Sequence, residues 1–346
     1  DWIVDRHRTW ASALVPWFRK QIERAESLSL KESEELQARL SRFAVTGPVR
    51  GLLAKSLTDD QLPIDAKRLV LRAMAKCDLK DLPAAWATPL TSLLIQNGSP
   101  LTADVVAIVR SIPAPASGAD SFVDALVRIA GDSDSSDQLR LQALWAVRKR
   151  VDAINVDQFE FVVGQVADSL PIKTRATAVQ ILATVRLDAK QLIRLAERLR
   201  TVSPLDINRL LAAFGRSRDE QVGLALVESL KRSPARSALD LKTLKPQLAK
   251  YPSLVQRRAS ELYNLLAAET AEQRTKLQKA LTSLPEGNVR RGQEIFHSAK
   301  TACAACHAIG YLGGRVGPDL TRIARIRNQR DLLEAIIFPS ASLVQN

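Results

Sequence analysis

The sequence predicts an all-α protein in two parts. Residues 1–284 read as an array of stacked helical hairpins and residues 289–346 as a small domain of different character, joined by a linker at 285–288. Three observations carry this. Aromatic residues are only 5% of the 346 while Leu, Ala, Arg, Gln and Lys recur, a balance that favours helix over large sheets. One pattern returns at intervals of about 33–37 residues, the length of a helical hairpin repeat. The recurrence stops at the turn signal Leu284-Pro285-Glu286-Gly287-Asn288.

Composition excludes several classes. With 46% apolar and 25% charged residues the chain is neither collagenous nor disordered, and three cysteines cannot staple a disulfide scaffold. No run approaches the roughly 18 apolar residues of a membrane helix, so no span is expected. The balance of 50 basic over 37 acidic residues, net +13, invites a nucleic-acid partner. Against that, the cations are spread evenly, with no run longer than Arg148-Lys149-Arg150. They read as a solvated basic surface, and no nucleic acid is expected. The chain opens at Asp1 with no Met or apolar leader, as a mature or fragmentary product would.

The repeat is plainest in two gapless copies. Leu62 to Met74 reads LPIDAKRLVLRAM and Leu170 to Leu182 reads LPIKTRATAVQIL, with a basic residue at the sixth position of each, Lys67 and Arg175. Ser135 to Val147, SSDQLRLQALWAV, fits the same frame 35 residues before the second copy. Weaker copies begin at Gly98, Pro204 and Pro252. In each, apolar residues fall at helical spacing, as in Leu69, Leu71, Ala73 and Met74 or Leu141, Leu144, Trp145 and Val147. Pro, Gly, Asp and Ser clusters separate the copies as loops. A single hairpin cannot bury its stripe, but stacked neighbours can. The pattern resembles HEAT-type α-solenoid repeats. Ahead of them, Trp2, Trp10 and Trp17 are spaced to share one face of a capping helix and read as its packing face, with Pro16 expected to kink or end it.

The sharp chemistry lies near the C-terminus. Val289 to Phe296 reads as a short helix, Gly310 to Gly317 as a Gly-rich loop, and Gln329 to Phe338 as a helix ended by Pro339. Between them stands Cys303-Ala304-Ala305-Cys306-His307, a C-x-x-C-H motif. Two thiols three positions apart can add across the two vinyl groups of one haem, and the adjacent imidazole then meets the iron through Nε2. Two other readings stay open on these residues. A thioredoxin-like C-x-x-C wants a βαβ setting, and no strand pattern surrounds this one. A zinc site could draw on His297, Cys303, Cys306 and His307, although adjacent Cys306 and His307 reach one tetrahedral ion awkwardly.

The flanks carry a resemblance. Gly292 and Phe296 precede the motif, and Gly317-Pro318-Asp319-Leu320 follows it ten residues on. This is similar to class I cytochrome c domains. Val316 to Thr321 together with Leu332 to Ala341 resembles, more narrowly, the haem-binding domain of planctomycete and verrucomicrobial type, which commonly ends long proteins that also hold HEAT-like repeats and a dehydrogenase-like propeller. The resemblance implies one covalent haem c, with Cys303 and Cys306 as thioether residues and His307 as the iron ligand. It further implies that the Pro318 carbonyl accepts the Nδ1–H of His307, fixing the tautomer. Leu320 would lie against the porphyrin, and Gly313, Gly314 and Gly317 would let the loop pass the ring edge.

The function expected is electron transfer, with electrons arriving from a fused or associated dehydrogenase and leaving to another redox protein. No carboxylate pair, Ser-His-Asp set or phosphate loop marks a catalytic unit. Haem attachment of this kind implies a periplasmic or otherwise exported location. Residues 287–346 carry eight basic and four acidic side chains, so an acidic redox partner is expected. A protein-binding scaffold with a structural haem and a zinc-binding, nucleic-acid-interacting solenoid are the rivals. Nothing after His307 is Met, His or Cys, so the sixth iron ligand is expected beyond Asn346. Met74 and Cys77 read as repeat core, and His7 belongs to no constellation.

Overall fold

The computed structural model describes residues 10–96, 99–112, 120–314 and 317–338; Trp2, His7 and the stretch from Pro339 lie outside them. The protein is all-α: about 70% helical, with 19 helices and almost no strand among the described residues. No helix among the described residues is long and apolar enough to cross a membrane. The chain divides into two compact units, one of residues 1–191 with 212–214 and one of residues 192–211 with 215–346.

The first unit is built from α1 (Ala11–Glu23), α2 (Leu30–Phe43), α3 (Gly47–Thr58), α4 (Ile64–Ala75), α5 (Ala84–Ile95), α6 (Thr102–Ser111), α7 (Asp120–Gly131), α8 (Asp137–Val147), α9 (Val156–Gly164) and α10 (Ile172–Thr184). Each helix packs on the helix two places along the chain. The even helices α2, α4, α6, α8 and α10 form one row and the odd helices α1 to α9 another. The three sequence copies open their helices in one frame: α4 follows Pro63, α8 follows Ser136 and α10 follows Pro171. Proline suits this place because its fixed φ is extended-compatible before the helix and its missing N–H is not needed there. Apolar stripes meet between the rows, burying Leu69, Leu71, Met74, Trp86, Leu141, Leu144 and Leu182.

Polar side chains bind successive hairpins at the repeat interval. Trp86 Nε1 donates to the Arg50 carbonyl at 3.0 Å, 36 residues away, and Gln191 Nε2 to the Ile154 carbonyl at 3.1 Å, 37 away. Arg68 pairs with Asp104 at 3.3 Å across 36 residues. Arg175, the sixth residue of its copy, bonds locally instead. Buried Arg175 donates at 3.0 Å to the carbonyls of Asp168 and Leu170, closing the loop before its own helix.

The N-terminal helix departs from expectation. Ala11, Phe18 and Ile22 are its buried residues, while Trp10 and Trp17 are 51% and 41% exposed. Trp17 stacks edge-on with Phe18, and Phe18 with Phe43. The packing face is thus one residue off the tryptophan stripe. Pro16 lies inside α1 without ending it, because a proline removes only one helical donor and here the tertiary contact of Phe18 holds the next turn.

The second unit runs through α11 (Ala189–Arg198, which begins in the first unit), α12 (Ile207–Leu210), α13 (Glu220–Arg232), α14 (Leu241–Leu248) and the 30-residue α15 (Ser253–Thr282). It ends in α16 (Val289–His297), α17 (Cys303–Cys306), the strands β1 (Ala308–Ile309) and β2 (Leu312–Gly313), α18 (Ile323–Ile326) and α19 (Gln329–Ile337). α13 and α14 pack on the first turns of α15, and α19 also packs on α15. Beyond Leu266 the only buried side chain of α15 is Leu277. The α13–α15 contact is close at Gly223, where a Cβ would stand 2.6 Å from the Tyr251 ring and 2.8 Å from a Val255 methyl. Gly223→Ala should therefore overpack this contact and cost about 1–3 kcal/mol, seen as a lower urea midpoint with an unchanged m-value.

Candidate functional site

The C-x-x-C-H motif occupies a single helical turn entered through a strained residue. Ala302 adopts φ 51°, ψ 20°, the left-handed region, which costs a non-glycine residue about 1–3 kcal/mol. It is held there by its N–H to the Ser298 carbonyl at 2.9 Å and by the Ala305 N–H donating to its own carbonyl at 3.1 Å. Thr301 supports the turn by donating its hydroxyl to the Ile295 carbonyl at the end of α16. Cys303 and Cys306, three apart on α17, fall on one face of the turn. His307 then leaves the helix in an extended conformation, its N–H still bonded to the Cys303 carbonyl at 3.0 Å.

After His307 the chain doubles back. β1 and β2 pair antiparallel, Ala308 opposite Gly313 and Ile309 opposite Leu312, across the two-residue turn Gly310-Tyr311. Gly310 has φ 65°, the positive value a tight hairpin turn of this kind needs at its first corner. The returning strand lies directly over the motif. The N–H groups of Gly314, Gly317 and Leu320 donate to the carbonyls of Ala304, Cys306 and Ala308, each at 2.8 Å.

This return brings Pro318 to His307. The imidazole Nδ1 stands 2.8 Å from the Pro318 carbonyl oxygen, so the neutral ring carries its proton on Nδ1 and leaves Nε2 as the basic nitrogen. Gly317 makes the approach possible, for a Cβ there would lie 2.5 Å from His307 Cε1. Gly313 and Gly314 close on protein, against the carbonyl oxygens of His307 and Ala305. Leu320 is half-buried beside them. Cys303, Cys306, His307, Gly317, Pro318 and Leu320 thus form one cluster.

The surroundings lack a core. Among the described residues from Ser283 to Phe338, Ala308 alone is buried; α16, α17, α18 and α19 bury no side chain. Phe296, Leu320, Ile323, Leu332 and Leu333 are half-buried, and Ile295 is 48% exposed. The described part of this segment is thus ordered by backbone bonds with little apolar interior.

Other chemistry-bearing residues stand apart. Cys77 is buried at the end of α4, its thiol donating to the Ala73 carbonyl at 3.3 Å, and burial pushes it up to about 12. Met74 is fully buried. His297 is exposed, its ring edge-on to Phe296. No group of three or more His, Cys, Asp or Glu among the described residues stands so as to hold a metal ion. The left-handed Ala302 and the hairpin were missed in the sequence, the first because alanine carries no signal for that conformation. No protein family, curated protein or solved structure matches the chain.

Two outcomes follow. Gly317→Ala should displace the imidazole and release Pro318; imidazole ¹⁵N shifts at alkaline pH should change from a single Nδ1–H tautomer to a mixed population. Alkylation near pH 8 should label Cys303 and Cys306 and spare Cys77 until urea is added. Because the fold raises the Cys77 value, that contribution to stability is complete below the ordinary thiol range and is lost as pH rises toward 12.

Proposed function

We propose that this chain is an electron-transfer protein in which residues 289–346 hold one covalent haem c and the preceding helices form a HEAT-like α-solenoid. The observation that carries the reading is the imidazole clamp, His307 Nδ1 against the Pro318 carbonyl at 2.8 Å one residue after a C-x-x-C turn. That contact leaves Nε2 as the ring's basic nitrogen and would make it a better donor to iron. The residues fit the group in three ways. Two cysteines share one face of a turn, the ligand's tautomer is set, and apolar side chains of the segment, Phe296, Leu320 and Ile323 among them, are only half-buried. Cys303 and Cys306 would hold the haem through thioethers, and His307 would be its axial ligand. When bound, the group supplies one-electron chemistry. Leu320 and the half-buried apolar side chains would exclude water from it, which tunes its potential. The solenoid reading rests on the two helix rows and on side-chain bonds at repeat intervals, such as those of Trp86 and Gln191. The absence of a three-ligand cluster among the described residues counts against zinc. Thioether attachment belongs outside the cytoplasm, so a periplasmic or exported location and a dehydrogenase donor go with the reading.

Expression beside a c-type maturation apparatus should give a red chain with one haem that resists acid-acetone extraction. Cys303→Ala and Cys306→Ala should each leave a single thioether, visible as a red-shifted α-band in the pyridine haemochrome. A colourless chain containing zinc would overturn the reading.

A further inference from the structure

The hairpin that follows His307 presents unusual surface. Tyr311 at its tip is fully exposed, Leu312 is 65% exposed and Ile309 45%. The next turn is fastened to it: the Gly310 N–H donates to Thr321 Oγ1 at 2.7 Å and the Leu320 N–H to the Ala308 carbonyl at 2.8 Å. Arg322, Arg325 and Arg327 follow, all exposed, with Ile326 between them 74% exposed. In the helical units Arg68, Arg150 and Arg236 have carboxylate partners in Asp104, Asp120 and Glu269. Arg322, Arg325 and Arg327 form no ion pair among the described residues. The one carboxylate in the turn, Asp319, accepts the Thr321 N–H at 2.7 Å.

We propose that the 309–312 hairpin with Arg322, Arg325 and Arg327 is the docking surface for an acidic one-electron-transfer protein. The proposal rests on the haem reading of the His307 turn. An apolar tip holding a tyrosine, bordered by arginines, has the composition of a protein–protein hot spot, since Tyr and Arg dominate such centres. Unpaired cations at the border select an acidic partner and speed its encounter. A nucleic-acid surface would instead place its cations along a phosphate track, without exposed Leu and Ile at the centre. The placement suits electron transfer, because β1 begins at the residue after His307. A partner seated on the hairpin is one residue from the iron's ligand.

The test uses the full haem-loaded chain, with flavodoxin as the acidic probe. One electron leaves the reduced flavin and is taken up by the ferric iron. Arg322→Glu with Arg325→Glu should slow this reaction about ten-fold at low ionic strength and remove its salt dependence. Tyr311→Ser with Leu312→Ser should slow it at every salt concentration. Calorimetric titration with oxidised flavodoxin should show both variants binding about ten-fold more weakly. Reduction by the neutral deazaflavin radical should be the same for all. Unchanged flavodoxin rates and affinities overturn the docking surface while leaving the haem reading intact. Equal losses with the deazaflavin radical also overturn it, by locating the damage at the haem. Binding of a DNA duplex or anionic vesicles through these residues, with none of flavodoxin, overturns it too. A chain that takes up no haem overturns both readings.

Discussion

An amphipathic helical hairpin has more apolar surface than it can cover alone, and the architecture follows from that shortage. In the first unit each helix packs on the helix two places along, so α1 to α10 fall into two rows, and the apolar stripes meet between those rows. Burying a Leu or Trp side chain contributes about 1.5–3 kcal/mol, which makes the apolar contacts the main term. The side-chain bonds between hairpins, such as Trp86 to the Arg50 carbonyl, contribute about 1 kcal/mol each and act chiefly on register. A slip by one residue along a row would leave the Trp86 indole N–H and the Gln191 amide buried without acceptors. Apolar burial sets the stacking, and polar satisfaction sets the spacing.

The last 50 or so residues face the same shortage without enough chain to meet it. Their order comes from backbone bonds, with Gly314, Gly317 and Leu320 tied back to Ala304, Cys306 and Ala308. These bonds are worth little net in water, and among the described residues of the segment only Ala308 is buried. A left-handed alanine adds strain at the entry to the turn. Such a segment is over-determined in geometry and under-supplied in apolar burial. A large flat apolar group fixed at Cys303 and Cys306 would remedy that, so attachment and folding would draw on the same free energy.

Much of this was legible in particular residues. The Leu-Pro-Ile frames at 62 and 170 mark helix starts because proline and the basic sixth position act locally, through N-terminal geometry and, for Arg175, through carbonyls a few residues back. The Cys303–His307 motif was legible from its own residue types and spacing, and Pro318 only through the resemblance carried by Gly317-Pro318-Asp319-Leu320; the structure sets the Pro318 carbonyl 2.8 Å from His307 Nδ1. The tryptophan stripe misled because spacing identifies a face but not which of two adjacent faces finds a partner; Phe43 decides for Phe18. Nor does spacing show that α15 is 30 residues long and continues past its apolar stripe. Its later turns are rich in Glu, Gln, Lys and Ala, which hold a helix by intrinsic preference without needing cover.

That extension has its own consequence for the site. Beyond Leu266, α15 buries one side chain, Leu277, on the stretch where α19 packs. α19 carries Leu332 and Leu333, both half-buried, and Arg330 just before them reaches Gln278 of α15 at 3.5 Å. The short C-terminal segment therefore takes part of its support from a helix that precedes the sequence break at Leu284. The composition changes character at that turn, yet the packing does not stop there. The C-terminal segment, with little core of its own, is joined through α19 to a helix whose first half is anchored at Val255, Ala259 and Leu262. Local stability of the site then depends on packing roughly 25 to 50 residues upstream.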